Sequence, residues 1–467
     1  MNHNGVVQKI WSLCHILRGD GITYYQYVSE LSYLLFLKIA KENGTESLIP
    51  AGFRWGDLES HDVEGLLSFY REMLTHLGEN ADDDVVRAVY AFPTTVFSHS
   101  ENLKAVIEGI SKIAWHSVGH DGFGKIYSGL IDRSAQDTRS GAGQYFTPQP
   151  LVDSIVRLMK PSTGDLIQDP ATGSGGFLVS ADNYIRSTNA RSDYEKNPPR
   201  YQGVEIEKNT RRICLMNAFL HGLDAKIIYG DALTEDSELL KPADIILANP
   251  PFGVKAGSRR SLRNDIPYPN SNKQLAFLQH IYLGLKEGGR AAVVLPDNTL
   301  FEDGVGKLVR AELMDTCDLH TVLRLPTGIF SSAGVNTNVL FFTRRKKGSK
   351  ATKKTWFYDM RANMPNFGKT SPLMKKHFSD FENCFGDDPN GKSLREDQGV
   401  DGRFRCFTRA DIANRNDNLD IAWLRSGESD LVDLEDITVA ILGHLRAALE
   451  EIEAVADELA EGIEAEE

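Results

Sequence analysis

The chain reads as an α/β protein: a parallel sheet wrapped by helices, entered from a helical N-terminal domain and left through a helical tail. Three observations predict this. From about residue 136 short apolar runs alternate with helical stretches, as in strands joined by helical crossovers. The first of those runs ends in a glycine-rich strand-to-helix turn, and both ends of the chain carry apolar residues at helical spacing.

At 467 residues and 41% hydrophobic content, the chain is long enough for two or three domains. No run approaches the roughly 18 apolar residues of a membrane span, and Met1-Asn2-His3-Asn4-Gly5 lacks the charged-then-apolar layout of a signal peptide. A cytoplasmic location with no membrane partner is therefore expected. The cysteines, Cys14, Cys214, Cys317, Cys384 and Cys406, lie far apart with no C-x-x-C. That argues against a disulfide framework and a structural zinc site, and no metal is expected.

The net charge of −13 is unevenly placed. Residues Ser426 to Glu467 hold 14 acidic residues and one basic residue, Arg446, so this tail carries the entire net charge. The neutral body leaves DNA open as a partner, with much of the phosphate affinity expected from another protein.

Taken in order, residues 1–135 form an expected helical domain. Ile10, Leu13, Ile16 and Leu17 recur at helical spacing; Val28, Leu31, Leu34, Leu35 and Ile39 mark a more buried helix, and Leu103, Val106, Ile107, Ile110 and Ile113 continue the character. A break follows at Arg139-Ser140-Gly141-Ala142-Gly143, small and polar as a loop should be.

Residues 136–425 form the expected sheet domain. Its candidate strands are Leu166–Asp169, Tyr201–Glu205, Lys226–Gly230, Asp244–Ala248, Arg290–Leu295, Thr321–Leu325 and Asn338–Thr343, with helices such as Leu151–Met159 and Asn209–His221 between them. Ser187–Arg200 reads as an exposed polar loop, and Lys346–Asp401 has a weak fold signal. From residue 426, Leu434, Ile437, Ile441, Leu445, Leu449, Ile452, Ala456, Leu459 and Ile463 make the narrow seam of an amphipathic helix, suited to docking on a partner or on its own body.

Chemistry concentrates at the strand ends, where ligands bind in open α/β sheets. The run Asp244–Ala248 stops at Asn249-Pro250-Pro251-Phe252, because proline has no N–H and a fixed φ. The Asn249 side-chain carbonyl and the Pro250 backbone carbonyl are acceptors suited to the two N–H groups of an exocyclic amine, and the Phe252 ring can stack on a planar base. After the first strand, Asp169-Pro170-Ala171-Thr172-Gly173-Ser174-Gly175-Gly176-Phe177-Leu178 lets backbone approach a ligand before a helix begins. Its spacing is not G-x-G-x-x-G, which weakens a dinucleotide reading. Glu205 closes the second strand, where a carboxylate can accept both hydroxyls of a ribose, and Asp231 closes the third, where it can accept from an adenine amine.

This combination resembles the amino-methyltransferases that use S-adenosylmethionine. Gly143-Gln144-Tyr145-Phe146-Thr147-Pro148, Asp169–Leu178, Asn249–Phe252, Ser271-Asn272-Lys273-Gln274, Leu325-Pro326-Thr327-Gly328-Ile329-Phe330 and Asn418-Leu419-Asp420-Ile421 are together similar to the modification subunit of type I restriction-modification systems. The resemblance covers nearly the whole chain. It implies a Rossmann-like sheet and methyl transfer from S-adenosylmethionine to N6 of a flipped adenine in DNA. By the same resemblance Gln144, Tyr145, Phe146, Thr147, Pro148 and Gln149 would cover the cofactor. Asp169, Gly173, Ser174, Gly175 and Gly176 would hold its methionine end, Glu205 its ribose, and Asp231 with Ala232 its adenine. Asn249, Pro250, Pro251 and Phe252 would form the catalytic corner, with Phe252 standing where Tyr is common, and Thr172 and Ser174 replacing smaller residues. The implied partners are DNA, a separate specificity subunit bound by two copies of this chain, and a restriction subunit in the full complex.

A glutamine side chain of a protein also offers an NH₂ to such a corner, and an idle cofactor-binding scaffold is a further alternative; intact Asn249, Pro250 and Phe252 speak against the latter. Gly386-Asp387-Asp388-Pro389-Asn390-Gly391-Lys392-Ser393 matches G-x-x-x-x-G-K-[ST]. No apolar strand precedes it, no apolar helix follows, and two carboxylates would repel phosphates, so an exposed turn is expected.

Overall fold

The computed structural model of the chain describes residues 3–18, 21–113, 115, 120–135, 147–253, 262–326, 328–330, 336–346, 352–365, 367 and 371–424. The expected tail helix, and Gln144, Tyr145 and Phe146, lie outside the described residues. In chain order the helices are α1 (His3–Arg18), α2 (Tyr24–Glu42), α3 (Trp55–Ser60), α4 (Leu66–Asn80), α5 (Asp84–Tyr90), α6 (Ser100–Ser111), α7 (His120–Ala135), α8 (Gln149–Met159), α9 (Gly176–Thr188), α10 (Arg191–Lys196), α11 (Lys208–Leu220), α12 (Lys273–Gly284), α13 (Asn298–Phe301), α14 (Val305–Thr316), α15 (Ser379–Phe385) and α16 (Arg409–Ala413). The strands are β1 (Leu166–Asp169), β2 (Arg200–Glu205), β3 (Ala225–Tyr229), β4 (Ala243–Ala248), β5 (Leu285–Pro296), β6 (Cys317–Arg324), β7 (Thr337–Arg344), β8 (Lys354–Asp359) and β9 (Phe404–Thr408).

Two compact units form. The first takes Met1–Phe146, Thr172–Val179 and Glu205–Tyr229; the second takes Thr147–Ala171, Ser180–Val204 and Gly230–Glu467.

In the first unit α2 is the central helix. Thr23 caps it in a capping box with Gln26, whose side chain accepts the Thr23 N–H at 2.9 Å, an arrangement that satisfies two otherwise orphaned donors. Along α2 the residues from Tyr27 to Ala40 are all buried, which leaves no solvated face and marks a helix inside a bundle. The core it occupies includes Ile213, Met216 and Leu220 of α11 as well as residues of α1 and α4 to α7. Glu30 is buried in this bundle and accepts from the Tyr70 hydroxyl at 2.7 Å, the Thr95 hydroxyl at 2.9 Å and the Val96 N–H at 3.0 Å. Burial raises its pKa against these donors.

The second unit is a mixed α/β layer with its strands in the order β2-β1-β4-β5-β7-β6-β8-β9. β1 runs parallel to β2 and β4, and β4 runs parallel to β5. Their carboxyl ends therefore share one edge, with Asp169 opposite Gly203. Ile245–Ala248 and Ala291–Leu295 are buried throughout, as strands covered on both faces require.

The expectation of a parallel sheet needs correction at its far side: β7 is antiparallel to both β5 and β6, and β9 is antiparallel to β8. Among the described residues no helix joins β6 to β7, and without a crossover a strand can only turn back. Two further segments differ from expectation. Lys346–Asp401 contains β8 and α15, and Ser187–Arg200 contains the end of α9 and all of α10. α10 has no buried residue; it is supported by the Arg191–Glu195 pair one turn apart, at 2.8 Å.

The segment Gly386–Ser393 follows α15 and closes on itself. The Asp388 N–H donates to Ser393 Oγ at 2.8 Å and the Asn390 N–H to Asp388 Oδ1 at 2.7 Å. A helix precedes this turn and coil follows it, so the strand-to-helix setting of a phosphate loop is missing. Among the described residues no helix is long and apolar enough to cross a membrane.

Candidate active site

In the first unit the glycine turn sits between Thr172 and the start of α9. Gly173 and Gly175 have φ of +53° and +79°, in the left-handed region that favours glycine. A Cβ on Gly175 would stand 2.9 Å from Cys214 Sγ of α11, so both torsion and space call for glycine there. The Gly175 N–H donates to the Thr172 carbonyl at 2.8 Å, and the Ser174 carbonyl accepts from Asn217 Nδ2 at 3.0 Å.

Glu205, 8% exposed, spans this turn. Its Oε2 accepts the Gly173 N–H at 2.9 Å and its Oε1 accepts the Glu207 N–H at 2.9 Å. Burial pushes its carboxyl up to about 7, against the backbone donors of Glu207, Gly173 and Ile206 and with the help of the neighbouring Glu207 charge. Glu207 caps α11 and accepts from the Tyr25 hydroxyl at 2.6 Å. Burial alone would raise Glu207 too, but the Tyr25 hydroxyl and the Thr210 and Asn209 N–H groups outweigh it and hold the carboxyl below its ordinary range.

In the second unit Asp169 is buried and accepts the Ala171 N–H at 3.0 Å. Asp231 accepts the Leu233 N–H at 2.9 Å, while its own N–H donates to Asp236 Oδ2 at 2.9 Å; Ala232 is buried beside it. Asn249 follows directly on β4. Its Nδ2 donates to Thr147 Oγ1 at 3.1 Å, and its Oδ1 is buried with no hydrogen-bond partner among the described residues. An unmatched buried acceptor costs about 1–3 kcal/mol, which marks a group held ready for something to donate to it.

Pro250 is buried, Pro251 exposed and Phe252 half-buried. The Phe252 ring meets Phe330 edge-on, with centroids 6.4 Å apart at 80°. Thr147, read from sequence as part of a cofactor cover, thus touches the corner asparagine. Gln149 donates to Asp153 Oδ1 at 2.8 Å and to Ser180 Oγ at 2.7 Å, and Pro148 sits at the N-cap position of α8.

Gln274, in the Ser271–Gln274 motif, carries no role that sequence alone assigns. With its amide turned to satisfy both groups, it accepts the Gly253 N–H at 2.7 Å and donates to the Gly253 carbonyl at 3.1 Å. The Lys273 N–H reaches the same carbonyl at 3.1 Å. Asn272 caps α12, accepting from the N–H groups of Gln274 and Leu275 at 3.0 and 3.2 Å. The residue after Phe252 is therefore clasped on both backbone groups by a helix start. An Asn before an apolar helical run was the available signal for that cap.

Arg263 likewise has no mark in the sequence pattern. Its N–H donates to the Leu233 carbonyl at 2.9 Å and its guanidinium to His280 Nδ1 at 2.8 Å. Burial, and then the charge of Arg263, push His280 down to about 3, so the ring is neutral and accepts. Among the described residues no group of three or more His, Cys, Asp or Glu side chains could hold a metal ion.

Residues 118–429 match the family model for N-6 DNA methylases. The chain is 41% identical to the methylase subunit of type I restriction enzyme EcoKI from Escherichia coli strain K12, over 100% of this chain and 97% of that one. It is likewise 41% identical to the StySPI methylase subunit of Salmonella potsdam, with the same coverage. Among solved structures, the EcoKI M protein aligns over 97% of this chain and 96% of that chain at a TM-score of 0.56 and 36% identity. A chain from a study of complex assembly and conformational transition in the type I system aligns over 100% of both at a TM-score of 0.76 and 26% identity.

Proposed function

Because the chain belongs to the N-6 DNA methylases, among the methylase subunits of type I restriction enzymes, we propose that it methylates N6 of adenine in DNA, with Asn249 and Pro250 holding the amine. The observation that carries this reading is the buried, unpartnered Asn249 Oδ1 at the end of β4. An adenine amine has two N–H donors, and its lone pair is delocalised into the ring. Acceptance of both hydrogens by Asn249 Oδ1 and the Pro250 carbonyl favours the pyramidal amine, whose lone pair is free to react. Phe252 stacks on the base. The base must leave the duplex, at a cost of a few kcal/mol that stacking partly offsets.

The cofactor in this reading is S-adenosylmethionine, which supplies a methyl group already activated on a sulfonium. The residues fit such a group. Gly173 and Gly175 present bare backbone, and the buried Glu205 carboxylate has two oxygens whose present donors are backbone N–H groups. Glu205 takes the ribose hydroxyls, Asp169 and Gly173–Gly176 the methionine end, and Asp231 with Ala232 the adenine, with Gln144–Gln149 as the cover. Beyond these contacts the chain contributes mainly positioning.

DNA sequence is read by a separate specificity subunit in this proposal, with two copies of this chain per specificity subunit and a restriction subunit completing the complex. The acidic tail from residue 426 and the N-terminal helices serve as docking surfaces. Membership of a DNA methylase family favours adenine over a protein glutamine as acceptor. Transfer of labelled methyl from S-adenosylmethionine to DNA, with and without a specificity subunit, tests the proposal: label in DNA only with both present supports it, and label in protein but never in DNA removes it.

A further inference from the structure

One face of α11 is built toward the glycine turn while a second is sunk in the helical bundle. Glu207, Thr210, Cys214 and Asn217 recur every three or four residues and form one stripe. Ile213, Met216 and Leu220 form another, inside the core that includes α1, α2 and α7. We infer that α11 is the member through which the helical bundle holds the glycine turn in its binding shape, with Tyr25 and Asn217 as positioning residues for S-adenosylmethionine. This rests on the reading that Gly173–Gly176 and Glu205 hold that cofactor.

Two chains of hydrogen bonds carry the inference. In one, the Tyr25 hydroxyl in the first turn of α2 donates to Glu207 Oε2 at 2.6 Å and pairs with Thr210 Oγ1 at 2.8 Å. The Glu207 N–H then donates to Glu205, which accepts from Gly173. In the other, the Ser128 hydroxyl of α7 donates to Asn217 Oδ1 at 3.4 Å, and Asn217 Nδ2 donates to the Ser174 carbonyl at 3.0 Å. Asn217 is 3% exposed, so water does not substitute for these partners.

Between the two chains Gly175 lies against Cys214. Successive residues of the turn are thus each fixed to something that α11 or its neighbours hold. A turn containing two left-handed glycines has much freedom to lose, since glycine gives up more conformational entropy than any other residue. Restraint supplied before binding lowers what the ligand must spend on ordering it.

The test uses Tyr25→Phe, which keeps the ring and removes one hydroxyl, and Asn217→Ala. Tyr24→Phe is the control: in the same helical turn it loses a hydroxyl that accepts from Arg18 of α1 at 2.8 Å, a partner outside both chains. Equilibrium binding of labelled S-adenosylmethionine to the full chain should weaken about fivefold or more in each of the first two, fivefold being the factor expected for a single hydrogen bond of ordinary net strength where each side chain makes two, and stay unchanged in the control. Turnover at saturating cofactor should be retained. Undiminished binding by folded Tyr25→Phe, or a loss confined to turnover, overturns the inference even if Asn217→Ala does not fold. A wild-type chain that binds no S-adenosylmethionine removes the cofactor reading and the inference together.

Discussion

The N–H of Gly173 points at Oε2 of Glu205 across 2.9 Å, so the carboxylate that ends β2 holds the glycine turn that follows β1. One buried acid therefore has two occupations. It shapes the turn, and in the proposed reading it also accepts hydroxyls from the cofactor. Both depend on its charge.

The carboxyl of Glu205 is pushed up to about 7 by burial, from the 4.5 of a free glutamate. Between those values the folded chain holds a proton that the unfolded chain has lost, so in the absence of cofactor this residue lowers stability as pH rises through that window. Hydroxyl donors favour the charged form. At pH 6, cofactor binding is expected to release up to one proton, and affinity should climb toward tenfold per pH unit until about 7, then level. Titration calorimetry in buffers of different ionisation enthalpy measures the release, and Glu205→Gln should abolish it.

Asn249→Ala removes an acceptor that nothing satisfies among the described residues. Methyl transfer should fall about a hundredfold or more, the scale seen when one preorganised catalytic hydrogen bond is lost. Cofactor affinity should not change. The variant loses an unmet buried oxygen, which favours the fold, together with the Nδ2 bond to Thr147 at 3.1 Å, which supports it, so thermal unfolding should show a Tm close to that of the wild type, a separation of activity from stability expected where a site is kept strained for its work.

Gln274 clasps both backbone groups of Gly253 and so fixes where Phe252 begins. In Gln274→Ala the Asn272 cap survives while the clasp is lost. Turnover should drop by up to about a hundredfold, the order that a misplacement of roughly an ångström produces, with the Kd for S-adenosylmethionine unchanged. Comparing kcat with equilibrium binding checks the split.

Gly175→Ala meets two obstacles, a φ of +79° and Cys214 Sγ at 2.9 Å from the new Cβ. The torsion alone costs about 1–2 kcal/mol. Adding Cys214→Ala should return the steric part and leave the torsional part, so the double variant should lie between Gly175→Ala and the wild type in denaturant unfolding, once Cys214→Ala has been measured by itself.

Much of the fold is legible because parallel strands buried on both faces appear as unbroken apolar runs, and β4 and β5 are such strands. Strand direction leaves no such mark, so β7 could not be told from its parallel neighbours. β8 leaves little mark because polar sequence surrounds a short run, Thr355–Tyr358, whose burial depends on β6 and β9. The candidate site residues are visible from sequence where backbone geometry demands a rare residue type: glycine at 173 and 175, and the proline pair after Asn249. Tyr25, Asn217 and Gln274 are common residue types whose importance comes from partners distant in sequence, Tyr25 lying 182 residues from Glu207. No local pattern marks them.

The most direct test is to identify the methylated nucleoside. DNA carrying a target site is incubated with the chain, a specificity subunit and S-adenosylmethionine labelled in its methyl group, then digested and resolved by mass spectrometry. The account predicts that all label runs as N6-methyldeoxyadenosine and that Asn249→Ala yields about a hundredth of it or less while still binding cofactor. Label on cytosine, or wild-type yield from Asn249→Ala, would contradict it.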